Sequence, residues 1–467
     1  MTDSDPPLEA PVRRRILLLP TQEAALRTLQ LAAMALAKVG HTPTFAVTPR
    51  LAECPMPAEL SRIGYALPDG APVYEHRAPR GRLAALRHWS ERAVEARIGE
   101  RSAELVAWRS AAARVLDRTL PAAVLASDDR LAGPYAALLA EAGVRGIPRV
   151  VVPFALSRAE GSVLTRAKRR SHRLGIRPLR RRKARIAEQF PGQVHSQDGI
   201  DYLFFSPEVT LAHERAGMLP ERPWAIGGGL SDLAALANSV DREYVVSLGV
   251  AAERLRVIGD LSHDVLHRAC VEREATRGSL FEEYFSEMRG HAHAKSRPLV
   301  IVAVPQLAEQ GLLDRSTSDS AARALVAPLA TESNVLLSLH PKSAPADYGF
   351  LEREFGAHIA DRPLHSILPA ADLFVAGFSS TVRWAVATGV PVVVADLGWW
   401  GYDIYDDFAG VVTVRQSDEY ARTVIALIRE PRRREILATA HARDAARMGT
   451  IDGQAGDRLV ALLDDLA

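Results

Sequence analysis

Four short stretches hold side chains suited to gripping an anion or moving a proton. His340-Pro341-Lys342 sets an imidazole and an ammonium two residues apart, a cationic spot of phosphate size. Gly377-Phe378-Ser379-Ser380-Thr381 offers hydroxyls and, where a helix follows, backbone N–H groups whose dipole favours phosphate. The alternative there is an ordinary helix cap at Ser379 or Ser380. Pro305-Gln306-Leu307-Ala308-Glu309 adds an amide, Gln306, able to bond a base edge or sugar hydroxyl, and Glu309, which serves equally well as a helix-terminal acid. Ser127-Asp128-Asp129 places two carboxylates side by side, and neighbouring acids raise each other's pKa, as a general base needs. Asp198 in Ser196-Gln197-Asp198-Gly199 is a rival base, and every one of these acids has a plain alternative as a turn or cap residue.

Such residues act together only if strand ends present them side by side. Apolar runs too short for helices lead straight into each motif: 298–304 into Pro305, 335–339 into His340, 373–376 into Gly377 and 122–126 into Ser127. Between and beyond them, helical spacing covers 320–330, 347–355, 381–388, 417–429, 432–448 and 459–466, with further strands at 390–395 and 411–414. This alternation is that of a doubly wound α/β domain. The first half opens the same way, with a strand at 15–20, a helix over 21–39 that stops at Gly40, and a strand at 44–48. A long charged helical region at 81–116, a helix at 131–143, and strand-like pieces at 149–153, 202–205 and 255–258 follow, with an irregular stretch around Gly227-Gly228-Gly229. The expected organisation is two Rossmann-like domains facing a cleft. The first covers 1–265 and carries a basic insertion at 157–192; a connection at 266–297 leads to the second, 298–467. Ligands of open α/β sheets sit at the carboxyl ends of the strands, where the motifs lie.

Composition narrows the class. The chain has 467 residues, 48% of them apolar, which excludes wholesale disorder, and only two cysteines, which excludes a disulfide scaffold or a zinc ribbon. No apolar stretch approaches the roughly 20 residues of a membrane span, and no signal-peptide core stands near Met1, so a cytoplasmic location is expected. The net charge of +2 is misleading: positions 166–185 hold eleven Arg and Lys and no acid, and taking eleven from +2 leaves the rest of the chain at −9. Apart from His172 that stretch has no aromatic side chain, so nucleic acid is not the expected partner. Gly175 and Pro178 divide it into two short helices at most, and Arg180, Arg181 and Arg182 are expected to meet an acceptor glycan or the inner face of an anionic membrane. The aromatic loop with Trp399, Trp400, Tyr402 and Tyr405 either stacks on a sugar or base or packs the domains together.

The stretch from Leu339-His340-Pro341 through Asp372 and Phe378-Ser379-Ser380 to Gly389-Val390-Pro391-Val392 resembles the donor-binding half of GT-B-fold glycosyltransferases. It is similar in particular to the group holding CDP-glycerol glycerophosphotransferases, bacterial sialyl and Kdo transferases and non-hydrolysing UDP-GlcNAc 2-epimerases. Val257-Ile258-Gly259-Asp260 resembles the element that closes the first domain in that group. The resemblance covers most of 250–430 and fades before it. It implies that His340, Ser379 and Ser380 hold the donor's phosphate; Lys342, Thr381, Gln306 and Glu309 are expected to contact the donor beside them, and no metal or other cofactor is expected. The departures count too: Arg383-Trp384 stands where related proteins carry an acid that holds the ribose, which breaks the epimerase signature and favours a CMP- or CDP-linked donor over a UDP-linked one. The expected activity is transfer of a sugar or glycerophosphate unit to a cell-surface glycan or lipid-linked acceptor. The alternatives are a sugar-nucleotide 2-epimerase and a catalytically inert nucleotide-binding protein of the same fold.

Overall fold

The computed structural model describes residues 13–466 apart from 55, 75–89, 157, 287–295, 310, 341–342, 378 and 399–402. The chain divides into two compact units, unit 1 from Met1–Ile258 with Gly456–Ala467, and unit 2 from Gly259–Ala455.

Unit 1 contains β1 (Arg15–Leu19), β2 (Thr42–Val47), β3 (Ser61–Gly64), β4 (Ala123–Ala126), β5 (Arg149–Val151), β6 (Val194–Gln197), β7 (Ile200–Leu203), β8 (Leu233–Leu236) and β9 (Leu255–Val257). Seven of these form one parallel sheet in the order β3-β2-β1-β4-β5-β8-β9, while β6 and β7 pair as a separate antiparallel hairpin. Leu17, Leu18 and Leu19 of β1 and Val124, Leu125 and Ala126 of β4 are wholly buried, as central strands covered by helices on both faces must be. The strand-like segment 202–205 starts inside the hairpin, in β7. Leu233-Ala-Ala-Leu236 carries an alanine and leucine composition that suits a helix, yet it completes the sheet between β5 and β9, because lateral pairing overrides so short a local preference.

Unit 2 repeats the plan with β10 (Leu299–Ala303), β11 (Asn334–Ser338), β12 (His358–Ile359), β13 (Leu373–Ala376), β14 (Val392–Ala395) and β15 (Val411–Val414), all parallel, in the order β12-β11-β10-β13-β14-β15. In both sheets the chain winds outward from its first strand, then crosses back to build the other half. The reversal falls between β1 and β4 in unit 1 and between β10 and β13 in unit 2.

The unit boundaries differ from the expected ones. The start of the expected connection is helical: Leu261–Val271 and Arg273–Tyr284 belong to unit 2, and Leu280, Phe281 and Phe285 are buried in one cluster with Ile301 and Phe374. The last helix, Ala455–Asp464, runs almost wholly in unit 1, with Leu459 and Leu463 buried, an Arg14 Nη1 bond to Leu463 O at 3.1 Å and an Arg458 Nε bond to Ile258 O at 2.6 Å. Its apolar face decides its place, which a boundary drawn from sequence order cannot register. Among the described residues no helix is long and apolar enough to cross a membrane.

Two buried histidines make unit 1 sensitive to acid. His213, 3% exposed, donates from Nδ1 to Val209 O at 2.8 Å and accepts the Gly133 N–H on Nε2 at 3.1 Å, so only the neutral ring satisfies both partners. Burial, with Arg101 nearby, pushes its pKa down to about 4, and burial does the same to His172. Unfolded histidine titrates near 6.5, so the unfolded chain takes up the proton first and stability falls as the pH drops from about 6.5 towards 4, by up to about 3 kcal/mol per ring. Urea unfolding between neutral and mildly acid pH should show this slope, and His213→Gln, which has no proton to take up, should flatten it. An unchanged slope in the variant would exclude His213 as a source.

Candidate active site

The best-formed candidate lies on unit 2 at the carboxyl edge of its sheet. Ala303 of β10 is in register with Ser338 of β11 on one side and Ala376 of β13 on the other, so the three strands end at one level. Three successive loops therefore start together: Pro305 and Gln306 after β10, His340 after β11, and Gly377 with Ser379, Ser380 and Thr381 after β13. The sheet reverses between β10 and β13, and such a reversal is where open α/β sheets bind ligands. Gly377 allows the two loops flanking that reversal to close up, since a Cβ there would stand 3.3 Å from Pro305 Cγ.

Ser379 does not cap the helix Val382–Thr388. Its Oγ lies 2.7 Å from Thr381 Oγ1 and accepts the Thr381 N–H at 3.2 Å, while Thr381 is the N-cap and makes no side-chain capping bond. Ser380 is exposed and His340 half-buried. The Gln306 side-chain oxygen, three residues beyond β10, is buried with no hydrogen-bond partner among the described residues, an acceptor that a ligand donor would satisfy. Glu309 is scaffolding: it accepts the Tyr348 hydroxyl at 2.9 Å and stands 3.6 Å from Arg315, whose guanidinium covers the Tyr348 ring at 4.8 Å. Burial would raise the Glu309 carboxyl, but hydrogen bonds, including those from Tyr348 and Ser343, and the Arg315 charge hold it below its usual value.

Arg383 occupies the first turn of Val382–Thr388, where the helix dipole disfavours a cation. It is paired with Asp260 at 3.1 Å, and Asp260 in turn caps Leu261–Val271 through Ser262 N at 2.9 Å. Burial would raise the Asp260 carboxyl; Arg383, His263 and the Ser262 hydroxyl outweigh it and keep the group ionised. Trp384 packs against the unit 2 core and meets His365 edge-on at 5.8 Å. The Asp260–Arg383 link escaped sequence reasoning, although a cation in a first helical turn is itself a signal that a nearby acid or anion compensates it.

In unit 1 the corresponding reversal is closed. Thr21 N donates to Ser127 Oγ at 3.0 Å and the two hydroxyls lie 2.9 Å apart, directly across β1 and β4. Asp128 is held by Arg130 through its backbone N at 2.8 Å, Nε at 3.0 Å and Nη2 at 2.7 Å. Asp129, 1% exposed, accepts from Gly227 N at 3.1 Å, Gly229 N at 2.9 Å and Ser231 Oγ at 2.6 Å. Gly229 packs so tightly here that any side chain would collide with the Asp129 backbone. Burial, then the Asp128 charge, push the Asp129 carboxyl up while those donors pull it back. Both acids thus work as internal fastenings of unit 1. Asp198, with a φ of 52°, is an exposed corner of the β6–β7 hairpin, the plain alternative foreseen for an Asp-Gly pair.

The basic stretch begins in the last turn of the helix Ala159–Ala167, runs without helix through 168–179 and ends on the helix Arg180–Gln189. Arg180 and Arg181 are exposed, but Arg182 is paired with Glu91 and Glu95 of the helix Glu91–Thr119 and is part of the packing. Lys342 and the aromatic positions Trp399, Trp400 and Tyr402 lie outside the described residues. Tyr405 is buried beside Phe408, with ring centroids 5.3 Å apart, in the unit 2 core.

Among solved structures, the chain is similar to CalG4, the calicheamicin glycosyltransferase, with a TM-score of 0.53 at 17% identity over 97% of this chain and 98% of that one. Glycosyltransferase VinC in complex with dTDP gives 0.49 at 14% identity over 97% and 100%, and UDP-GlcNAc 2-epimerase from Neisseria meningitidis bound to UDP-GlcNAc gives 0.48 at 13% over 96% and 99%. No protein-family model matches the chain, and no curated protein does. At these identities the likeness to CalG4 speaks for the fold: the chain has the two-domain GT-B fold.

Proposed function

From this fold and the level strand ends of unit 2, we propose that the protein is a nucleotide-sugar-dependent transferase whose unit 2 holds the donor. The observation that supports the reading is the level ending of β11, β10 and β13, after which the chain continues into Gln306, His340 and Ser379 to Thr381. The imidazole, with Lys342 beside it in sequence, and the hydroxyls receive the phosphate; the unsatisfied Gln306 oxygen accepts from the base or sugar. The leaving phosphate is stabilised by these groups without a metal, so activity should persist in EDTA. Arg383-Trp384 in place of an acid favours a CMP- or CDP-linked donor, and the acceptor is a glycan or lipid-linked chain. A thermal-shift screen of CMP, CDP, UDP, GDP and dTDP tests the reading. The donor's nucleotide at 100 times its dissociation constant should stabilise the protein by about 2.7 kcal/mol. If none of them shifts the melting curve, the reading fails.

The engagement of Asp128 and Asp129 favours a second reading, a nucleotide-binding protein without turnover, because a transfer needs an acid free to take the acceptor's proton. Nucleotide binding without product on any acceptor would support it.

A further inference from the structure

The donor site leaves the most unusual stretch of the sequence, 166–185, without a task. Three of its eleven cations are built into unit 1. Arg166 donates to Phe204 O at 2.7 Å and lies 3.7 Å above the Phe204 ring, Arg182 pairs with Glu91 and Glu95, and Lys183, fully buried, donates to Arg170 O at 3.0 Å and to Arg173 O. Arg173 is half-buried. The other seven, Lys168, Arg169, Arg170, Arg177, Arg180, Arg181 and Arg185, are exposed, and none of them makes an ion pair among the described residues.

This crowding is maintained against repulsion. Lys183 clamps the loop carrying Arg170 and Arg173 onto the helix Arg180–Gln189, and burial together with those two charges pushes its pKa down to about 8. Burial, Arg130 and Arg169 lower Arg166 in the same way, to about 10. The fold therefore gathers like charges that would separate in a flexible chain. One turn before Lys168 stands Leu164, 67% exposed on the helix Ala159–Ala167. A spread of cations with an apolar side chain at its margin, and with no exposed aromatic ring for a base to stack on, matches the layered chemistry of a lipid surface better than a polynucleotide.

We propose that this face of unit 1 docks on an anionic membrane surface, with the exposed Arg and Lys side chains meeting lipid phosphates and Leu164 entering the headgroup layer. Each basic side chain near such a leaflet strengthens partitioning by about fivefold.

Sedimentation with vesicles of phosphatidylcholine alone, and of phosphatidylcholine with phosphatidylglycerol, tests the proposal on the full-length chain. Binding should require the anionic lipid and weaken at high salt. The combined variant Arg169→Gln, Arg181→Gln and Arg185→Gln should lower partitioning by about a hundredfold, and Leu164→Ser should lower it further. These side chains are exposed, so melting temperature and nucleotide-induced shift should match the parent, which separates this test from that of the donor site. Equal binding to neutral and anionic vesicles, parental binding by the triple variant, or capture by a soluble anionic polysaccharide with indifference to vesicles would each overturn it.

Discussion

Asp129→Ala lowers the melting temperature by about 10 °C or more, and Asp129→Asn does nearly as much harm. The carboxylate is buried and accepts from two backbone N–H groups and one hydroxyl, so truncation leaves Gly227 N, Gly229 N and the Ser231 hydroxyl without their acceptor. Hydrogen bonds to a charged group contribute about 1.5–3 kcal/mol each, and removing one partner of a buried charged cluster costs about 3–5 kcal/mol. For a unit of this size each kcal/mol moves the midpoint by about 2–4 °C. The asparagine variant keeps the shape, but its NH2 must point at one of the N–H donors, replacing attraction with repulsion. A calorimetric scan decides the matter: an unshifted midpoint combined with lost turnover would return Asp129 to the role of general base.

His340→Ala should produce the opposite pattern. The ring follows β11 by two residues and is half-buried, so its loss should move the melting point by only about 1–2 °C. If it binds the leaving phosphate as charge builds there, kcat/KM should fall by about a hundredfold or more, as it does when one preorganised donor is removed from a reaction centre. Ser379→Ala should fall between the two patterns, because it also releases the Thr381 N–H bond that shapes the first turn. Steady-state rates and melting curves on the same preparations separate binding from folding. Parental kcat/KM in His340→Ala would dissolve the donor-site assignment.

The parts of this molecule legible in the sequence are those decided locally. The apolar runs that became β1, β10, β11 and β13 are buried on both faces and admit few other readings, so the residues that follow them were locatable within a position or two. The break expected at Gly175 and Pro178 is wider in the fold, where 168–179 is not helical and only Arg180–Gln189 carries a helix through the second part of the basic stretch. What stayed hidden depends on partners far along the chain. The Asp128-Asp129 pair reads as proton-moving chemistry until Gly227, Gly229 and Ser231, about a hundred positions away, arrive at Asp129. Arg130, the partner of Asp128, was adjacent and visible, and a cation two residues after an acid at a strand end is the cue that could have been used. Lys183 could not be told from its neighbours by type or spacing; only the fold makes one lysine of eleven cations a buried clamp.

The return of the last helix to unit 1 has a consequence for how the protein is made. Unit 1 is interrupted: the chain leaves it after Ile258, builds all of unit 2, and comes back at Gly456 to cover Arg14 and Ile258. On the ribosome all seven strands of the first sheet are therefore synthesised early, but the helix that packs on unit 1 emerges only after unit 2, so unit 2 is finished while its predecessor still lacks a helix. A fragment ending at Ile258 is for the same reason an incomplete fold, and a dissected unit 1 has to carry residues 456–467 spliced back onto it.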